Sequence, residues 1–300
     1  MSSHDSSLRE TNWPTLASYV STHNDTYPFI DPSDVNLASK SVLITGASKG
    51  IGKAAAIRFA MAGCSKIILA ARSDMAEVEM AIKDAASKAN RPQPLVHSIK
   101  MDITSEQSVK AAAETAKEIL DGSLDILINN AGYLEKWKPV AESDPSEWWW
   151  TWEVTVKGTY LSARYFIPLL LKSATKTIIN ISSVGAQIIV PGASAYETSK
   201  FALCRFTEFI DKEYYEQGLI AIAVHPGGIK TELALNMPPA MHSRLNDTVE
   251  LAADTMVWLS HERRDWLSGR FIAVNWDMEE LENKKQEILE GNLLKFRMTI

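Results

Sequence analysis

The chain has 300 residues, 46% of them hydrophobic, enough for a full core in one large α/β domain. Its 31 basic residues face 37 acidic ones, a net charge of −6 that argues against a polyanion-binding surface and so against nucleic acid as a partner. No apolar run reaches the length of a membrane span, the first residues lack a secretory signal, and Cys64 and Cys204 stand far apart without metal-ligand spacing. A cytoplasmic setting, no membrane and no metal are the expectation.

Residues 1–40 are polar, broken by Pro14, Pro28 and Pro32, and carry no sustained periodicity. They read as an arm lying over the domain or partly disordered, with Trp13, Tyr19, Tyr27 and Phe29 as anchors. Residues 41–45 then form a short apolar, partly β-branched run suited to a buried strand. A glycine-rich turn, 46–52, follows at once, and a helix is expected over 51–62. Strand, turn and helix in that order present backbone N–H groups and a helix N-terminus to a pyrophosphate, with glycine allowing close approach. Gly46, Ser48, Lys49, Gly50, Ile51 and Gly52 are therefore candidate contacts of a dinucleotide.

The next strand, 66–70, ends at Ala71 and Arg72. An NAD site usually offers the adenosine ribose a carboxylate there, and none is present. Arg72 and Lys49 instead favour a 2′-phosphate, so NADP(H) is the expected cofactor; the alternative is two solvated surface cations. The alternation continues as helix 74–90, strand 95–101, helix 105–120 and strand 125–129, the pattern of a parallel sheet with right-handed crossovers. Asp102, just past its strand, is a candidate to meet an adenine amino group; the alternative is an ordinary loop carboxylate. Asn129, Ala131 and Gly132 close the fourth strand with amide and small side chains, as suits a backbone close to a nucleotide, although by themselves they also fit a plain turn.

One long helix is expected over 145–172. Trp148, Trp149 and Trp150 point three ways around it, so at least one is exposed unless a subunit or the arm covers it. Strand 177–182 delivers Ser183 to the carboxyl edge of the sheet, where open α/β folds bind ligands. A helix over 194–217 places Tyr196 and Lys200 one turn apart on one face. A phenol with pKa near ~10 exchanges protons poorly at neutral pH, but a nearby ammonium lowers that pKa, and a serine hydroxyl can hold a substrate oxygen beside it. By itself the pair also fits an ordinary amphipathic helix.

A sixth strand, 219–224, leads to Pro226, Gly227, Ile229 and Thr231, which turn back to the same edge at the nicotinamide end. His225 reads as a strand-end residue. Residues 232–248, with Met237, Pro238, Pro239, Met241 and His242, read as a lid that admits an apolar substrate. Helix 248–259, strand 270–274 and a solvated helix after Asp277 complete the chain. The expected division is an arm (1–40), a Rossmann-type doubly wound, three-layer α/β/α domain (41–276) and a helical tail (277–300).

Taken together these residues resemble the short-chain dehydrogenase/reductase family over about 41–276. Thr45, Gly46, Gly50 and Gly52, then Asn129 to Gly132, Ser183, Tyr196 with Lys200, and Pro226 with Gly227 stand in the family's order. The resemblance implies that Tyr196 is the acid/base, that Ser183 positions the reacting oxygen, and that Lys200 tunes Tyr196 and holds the nicotinamide ribose. It also implies dimers or tetramers built on the two long helices. Thr155 departs from the pattern, standing where many members carry an asparagine that holds a water in the proton relay. The arm and turns look like those of fungal members from specialised metabolism. An NADPH-dependent carbonyl reductase for a medium-sized apolar substrate is the leading expectation. A non-redox isomerase, dehydratase or cyclase on the same fold, or a nucleotide-binding scaffold, are the alternatives.

Overall fold

In the computed structural model, which describes residues 19–298, the apolar runs become the strands of one parallel sheet. The strands are β1 (Ser41–Thr45), β2 (Lys66–Ala71), β3 (Leu95–Lys100), β4 (Ile126–Asn129), β5 (Thr177–Ile181), β6 (Ile220–His225) and β7 (Arg270–Ala273). Their order across the sheet is β3-β2-β1-β4-β5-β6-β7. All residues of β1, β4, β5 and β6 are buried, because helices cover both faces. The winding reverses between β1 and β4, and the carboxyl ends of the strands open a crevice there.

Alternation along β1 assigns the two layers. Val42 and Ile44 pack with α1 (Gly50–Met61), α2 (Ala76–Lys88) and α7 (Val249–His261), whereas Leu43 packs with α3 (Glu106–Ile119) and the helices that follow β4. The expected helix over 145–172 is divided into α4 (Pro145–Trp152), a π turn (Glu153–Lys157) and α5 (Gly158–Leu170). In that turn the Gly158 N–H reaches back to the Glu153 carbonyl, one residue further than in an α-helix. A Cβ on Gly158 would lie 2.7 Å from Ile103 Cγ1, so glycine allows the close approach. α6 (Ser194–Tyr214) runs unbroken.

Two readings of the chain ends meet the structure differently. The tail folds as α8 (Met278–Asn283) and α9 (Lys285–Glu290), and Met278, Leu281 and Ile288 are fully buried in the main core, so it is not a solvated helix. Three apolar side chains outweigh the charges around them. At the other end, Thr22 pairs with Trp276 in an antiparallel bridge, and His23 N donates to the Asn275 carbonyl at 2.7 Å. The Thr26 hydroxyl donates to buried Asp254 at 2.5 Å, and the Tyr27 ring stacks on His23 at 3.8 Å. Trp13, expected as an anchor, lies outside the described residues. Among those residues no helix is long and apolar enough to cross a membrane.

Candidate active site

β1 runs into the glycine turn, which is tied to the end of β4. Thr45 Oγ1 accepts the backbone N–H groups of Asn130 (3.0 Å) and Ala131 (3.1 Å), while Asn130 Nδ2 donates to the carbonyls of Thr45 and Gly46 (2.9 and 3.2 Å). Gly46 has φ +66°, and a Cβ there would lie 2.9 Å from Ala131 Cα, so only glycine satisfies both conformation and contact. α1 begins beyond this turn without a side-chain cap. Its first N–H groups therefore remain available to an anion.

A cavity of about 770 Å³ starts at this turn. It passes Arg72 and Asp102, follows Ala131 and Gly132, and ends among Ser183, Tyr196 and Lys200. Ser48, Lys49, Gly50, Ile51, Pro226, Gly227, Ile229 and Thr231 line it as well. Asp102 is partly buried, which opposes ionisation, but two hydrogen bonds from Thr104 and the nearby Arg72 win and hold its pKa below the ordinary value. Arg72 is exposed and makes no hydrogen bond or ion pair among the described residues. Lys49 pairs with Glu232 across the mouth at 2.5 Å.

At the far end burial dominates. It pushes the Tyr196 phenol up to about 12, against the pull of a hydrogen bond with the Ser183 side chain, and Glu135 and Glu197 push the same way. Burial also lowers Lys200 to about 8. Its Nζ donates to the Ile181 carbonyl at 2.8 Å and lies 5.5 Å from the centroid of the Tyr196 ring. The ammonium and phenol thus share one helix face, as their spacing requires. The Ser183 hydroxyl accepts the Gly185 N–H at 3.0 Å, which sets the turn after β5.

A sequence model of the family described as short chain dehydrogenase matches residues 40–241. The chain belongs to that family. It is 49% identical to the short chain dehydrogenase mpl6 of Monascus purpureus over 279 residues, 93% of this chain and 95% of that one. Among solved structures it resembles 7α-hydroxysteroid dehydrogenase complexed with NADH and 7-oxo glycochenodeoxycholic acid, with TM-score 0.70, 25% identity and coverage of 83% and 97%. It also resembles NADPH-bound carbonyl reductase from chicken fatty liver, with TM-score 0.65, 26% identity and coverage of 79% and 97%. The protein is thus a short-chain dehydrogenase/reductase with a Rossmann-type fold built to hold a nicotinamide cofactor.

Three expected site residues of this short-chain dehydrogenase lie outside the cavity. Gly52 is a packing residue: a Cβ there would be 2.5 Å from the Gly46 carbonyl oxygen. Asn129 is still within β4, where its Nδ2 donates to Asn180 Oδ1 at 2.8 Å and ties two strands. Asn130, one residue on, lines the cavity instead. Thr155 sits in the π turn, 1% exposed, and its hydroxyl has no hydrogen-bond partner among the described residues. Of the tryptophans, Trp150 lines the cavity, Trp148 and Trp152 stack at 5.9 Å, and Trp149 is 61% exposed.

Some site residues escaped sequence reasoning. Glu135 is buried and takes the Tyr196 N–H on one oxygen (3.0 Å) and the Thr151 hydroxyl on the other (3.2 Å), so it caps the helix that carries the phenol. Asp247 grips the Gly228 N–H at 2.6 Å. From the arm, Thr22 and Asn24 reach the cavity wall. Nothing local marks these positions; each depends on a partner distant in sequence.

Proposed function

We propose that this protein is an NADP(H)-dependent oxidoreductase that transfers hydride between the nicotinamide and a ketone or secondary alcohol of a medium-sized apolar substrate. One observation carries the reading: a single cavity joins an uncapped helix N-terminus and Arg72 at one end to Ser183, Tyr196 and Lys200 at the other. The residues fit the cofactor. Gly46 and Gly50 leave the turn open to a pyrophosphate, Arg72 would hold the 2′-phosphate, Asp102 the adenine, and Ile229 and Thr231 the nicotinamide end. When bound, the nicotinamide supplies or accepts the hydride at the substrate carbon.

The chain's own residues manage the oxygen and its proton. Ser183 holds the oxygen, and Tyr196, protonated at neutral pH, donates to it as negative charge grows. Lys200 would hold the nicotinamide ribose and, when ammonium, would favour the phenolate that remains. Thr155 would join the relay that returns the proton. Leu134, Trp150, Leu233, Met237 and Met241 line the adjoining wall, in keeping with an apolar substrate. A cytoplasmic setting suits the two buried, unpaired cysteines. A homodimer or homotetramer would cover the exposed rings of Tyr160 on α5 and of Phe201 and Phe209 on α6.

The test begins with titration of NADPH and NADH. Arg72→Ala should weaken NADPH by about tenfold or more while changing NADH by less than about threefold. Equal effects would remove the 2′-phosphate from this reading. With any ketone that is reduced, Tyr196→Phe should lower kcat by roughly 10²–10⁴-fold. An unchanged rate would take the proton transfer away from Tyr196.

A further inference from the structure

The β5–β6 ladder does not stop with its last residue pair. Ile181 lies opposite Val224, and Ser182 N donates to the Val224 carbonyl at 2.7 Å. One step further along, Val184 N–H finds a side chain in place of a backbone carbonyl: it donates to His225 Nδ1 at 3.0 Å. Val184 opens the short 3₁₀ turn Val184–Ala186, for which Ser183 is the N-cap and accepts the Gly185 N–H. Two successive N–H groups of the turn are therefore held by side chains, one by the imidazole and one by the serine hydroxyl.

We infer that His225 is a positioning residue for the reaction: by accepting the Val184 N–H, it fixes the turn that aims the Ser183 hydroxyl at Tyr196. The inference rests on the reading of Ser183 and Tyr196 given above. Because Nδ1 accepts a hydrogen bond, the ring proton resides on Nε2. Burial holds the pKa at about 4, so the imidazole stays neutral, as an acceptor must. His225 is 6% exposed and lines the cavity, and its Nε2 has no hydrogen-bond partner among the described residues. The turn it steadies is tightly packed: a Cβ on Gly185 would lie 3.3 Å from Ser183 Oγ and 3.6 Å from Tyr196 Cε1. A small shift at Val184 would therefore be felt at both reacting groups.

Three variants test this. His225→Ala removes the acceptor and leaves a partly buried N–H without its protein partner. His225→Asn carries an oxygen at the same number of bonds from the backbone and can take its place. Val184→Pro removes the donor instead; Ser183 is already extended (φ −165°, ψ 158°), as a residue before proline must be, and proline is favoured at the first position of a helical turn. With NADPH and 1-tetralone or another aryl ketone that the wild type reduces, His225→Ala should lower kcat by on the order of 10²-fold, with NADPH affinity within about threefold of wild type. His225→Asn should recover most of that loss, and His225→Ala added to Val184→Pro should cost nothing further.

Equal impairment of the Asn and Ala variants, additive losses in the double variant, or an effect confined to KM would overturn the inference. A second readout needs no substrate. In protein with ¹⁵N-labelled histidine, the His225 resonances, assigned by their absence from His225→Asn, should show an unprotonated, hydrogen-bonded Nδ1 that shifts in Val184→Pro. An unchanged Nδ1 signal there would overturn the inference as well. If the wild type reduces no ketone, the reductase reading fails, while the nitrogen spectrum still decides whether His225 holds the Val184 turn.

Discussion

Glu197 follows Tyr196 directly and is 8% exposed, with its carboxylate accepting the Val190 N–H at 2.9 Å. Burial, aided by Glu135, raises its pKa to about 7 against the pull of that bond. The folded-state pKa lies above the unfolded one, so the associated stability is present at low pH and is lost as pH rises through about 7. Glu197→Gln keeps an acceptor and removes the charge. It should match wild type near about pH 4 and be more stable by on the order of 1 kcal/mol near about pH 8, as urea unfolding would show. A constant difference between the two pH values would mean that Glu197 does not titrate between them. Thr155 can be examined in the same spirit, because its buried hydroxyl bonds nothing among the described residues. Thr155→Val should cost no stability in the same unfolding assay yet reduce kcat by roughly tenfold if the hydroxyl serves the proton relay. A stable variant with an intact kcat would remove Thr155 from catalysis.

Among the elements, residues 21–27 bind several parts of the molecule at once. Ser21 is held by Glu280 of α8, Asp25 accepts the Thr248 hydroxyl at 2.7 Å, and Thr26 donates to Asp254 of α7, which also pairs with Arg58 of α1 at 3.1 Å. Asp247, next to Thr248, bonds Gly228 in the cavity wall. The segment, whose Thr22 and Asn24 also line the cavity, therefore braces the wall. Thr26→Val should destabilise the protein by about 1–3 kcal/mol, since it takes a hydrogen bond from a buried carboxylate. It should also speed amide exchange at 246–248 before it affects β1. Exchange that rises evenly over the whole chain would mean that the contact contributes stability without bracing the wall.

At the level of the whole molecule, the exposed aromatic rings on α5 and α6 belong to the proposed subunit contact. Phe209 is 55% exposed and Tyr160 is 46% exposed, and neither lines the cavity. Phe209→Glu would place a charge in that contact, so light scattering should show a smaller species than wild type at the same concentration. An unchanged mass would move the contact elsewhere. A monomeric wild type would leave these rings as isolated surface aromatics, which are common.

Much of the sheet was legible in the sequence because a strand buried on both faces is mostly apolar, as 41–45 and 177–182 are around their few polar residues and 219–224 is throughout. The spacing of Tyr196 and Lys200, and the glycine turn between strand and helix, follow from local geometry and were legible for the same reason. Other features were decided only when distant segments met. Which of Asn129 and Asn130 faces the cavity depends on where β4 ends, and that is set by its pairing with β1 and β5. The tail reads as charged, yet Met278, Leu281 and Ile288 find the main core. Glu135, His225 and Asp247 have no local mark, because each acts on a backbone N–H brought to it by the fold. The sequence by itself determined the parallel α/β fold and the candidate residues for the site, since those rest on periodicity and residue type. Only the tertiary structure decided which groups hold them in place, because a buried hydrogen bond requires two segments whose proximity no local pattern specifies.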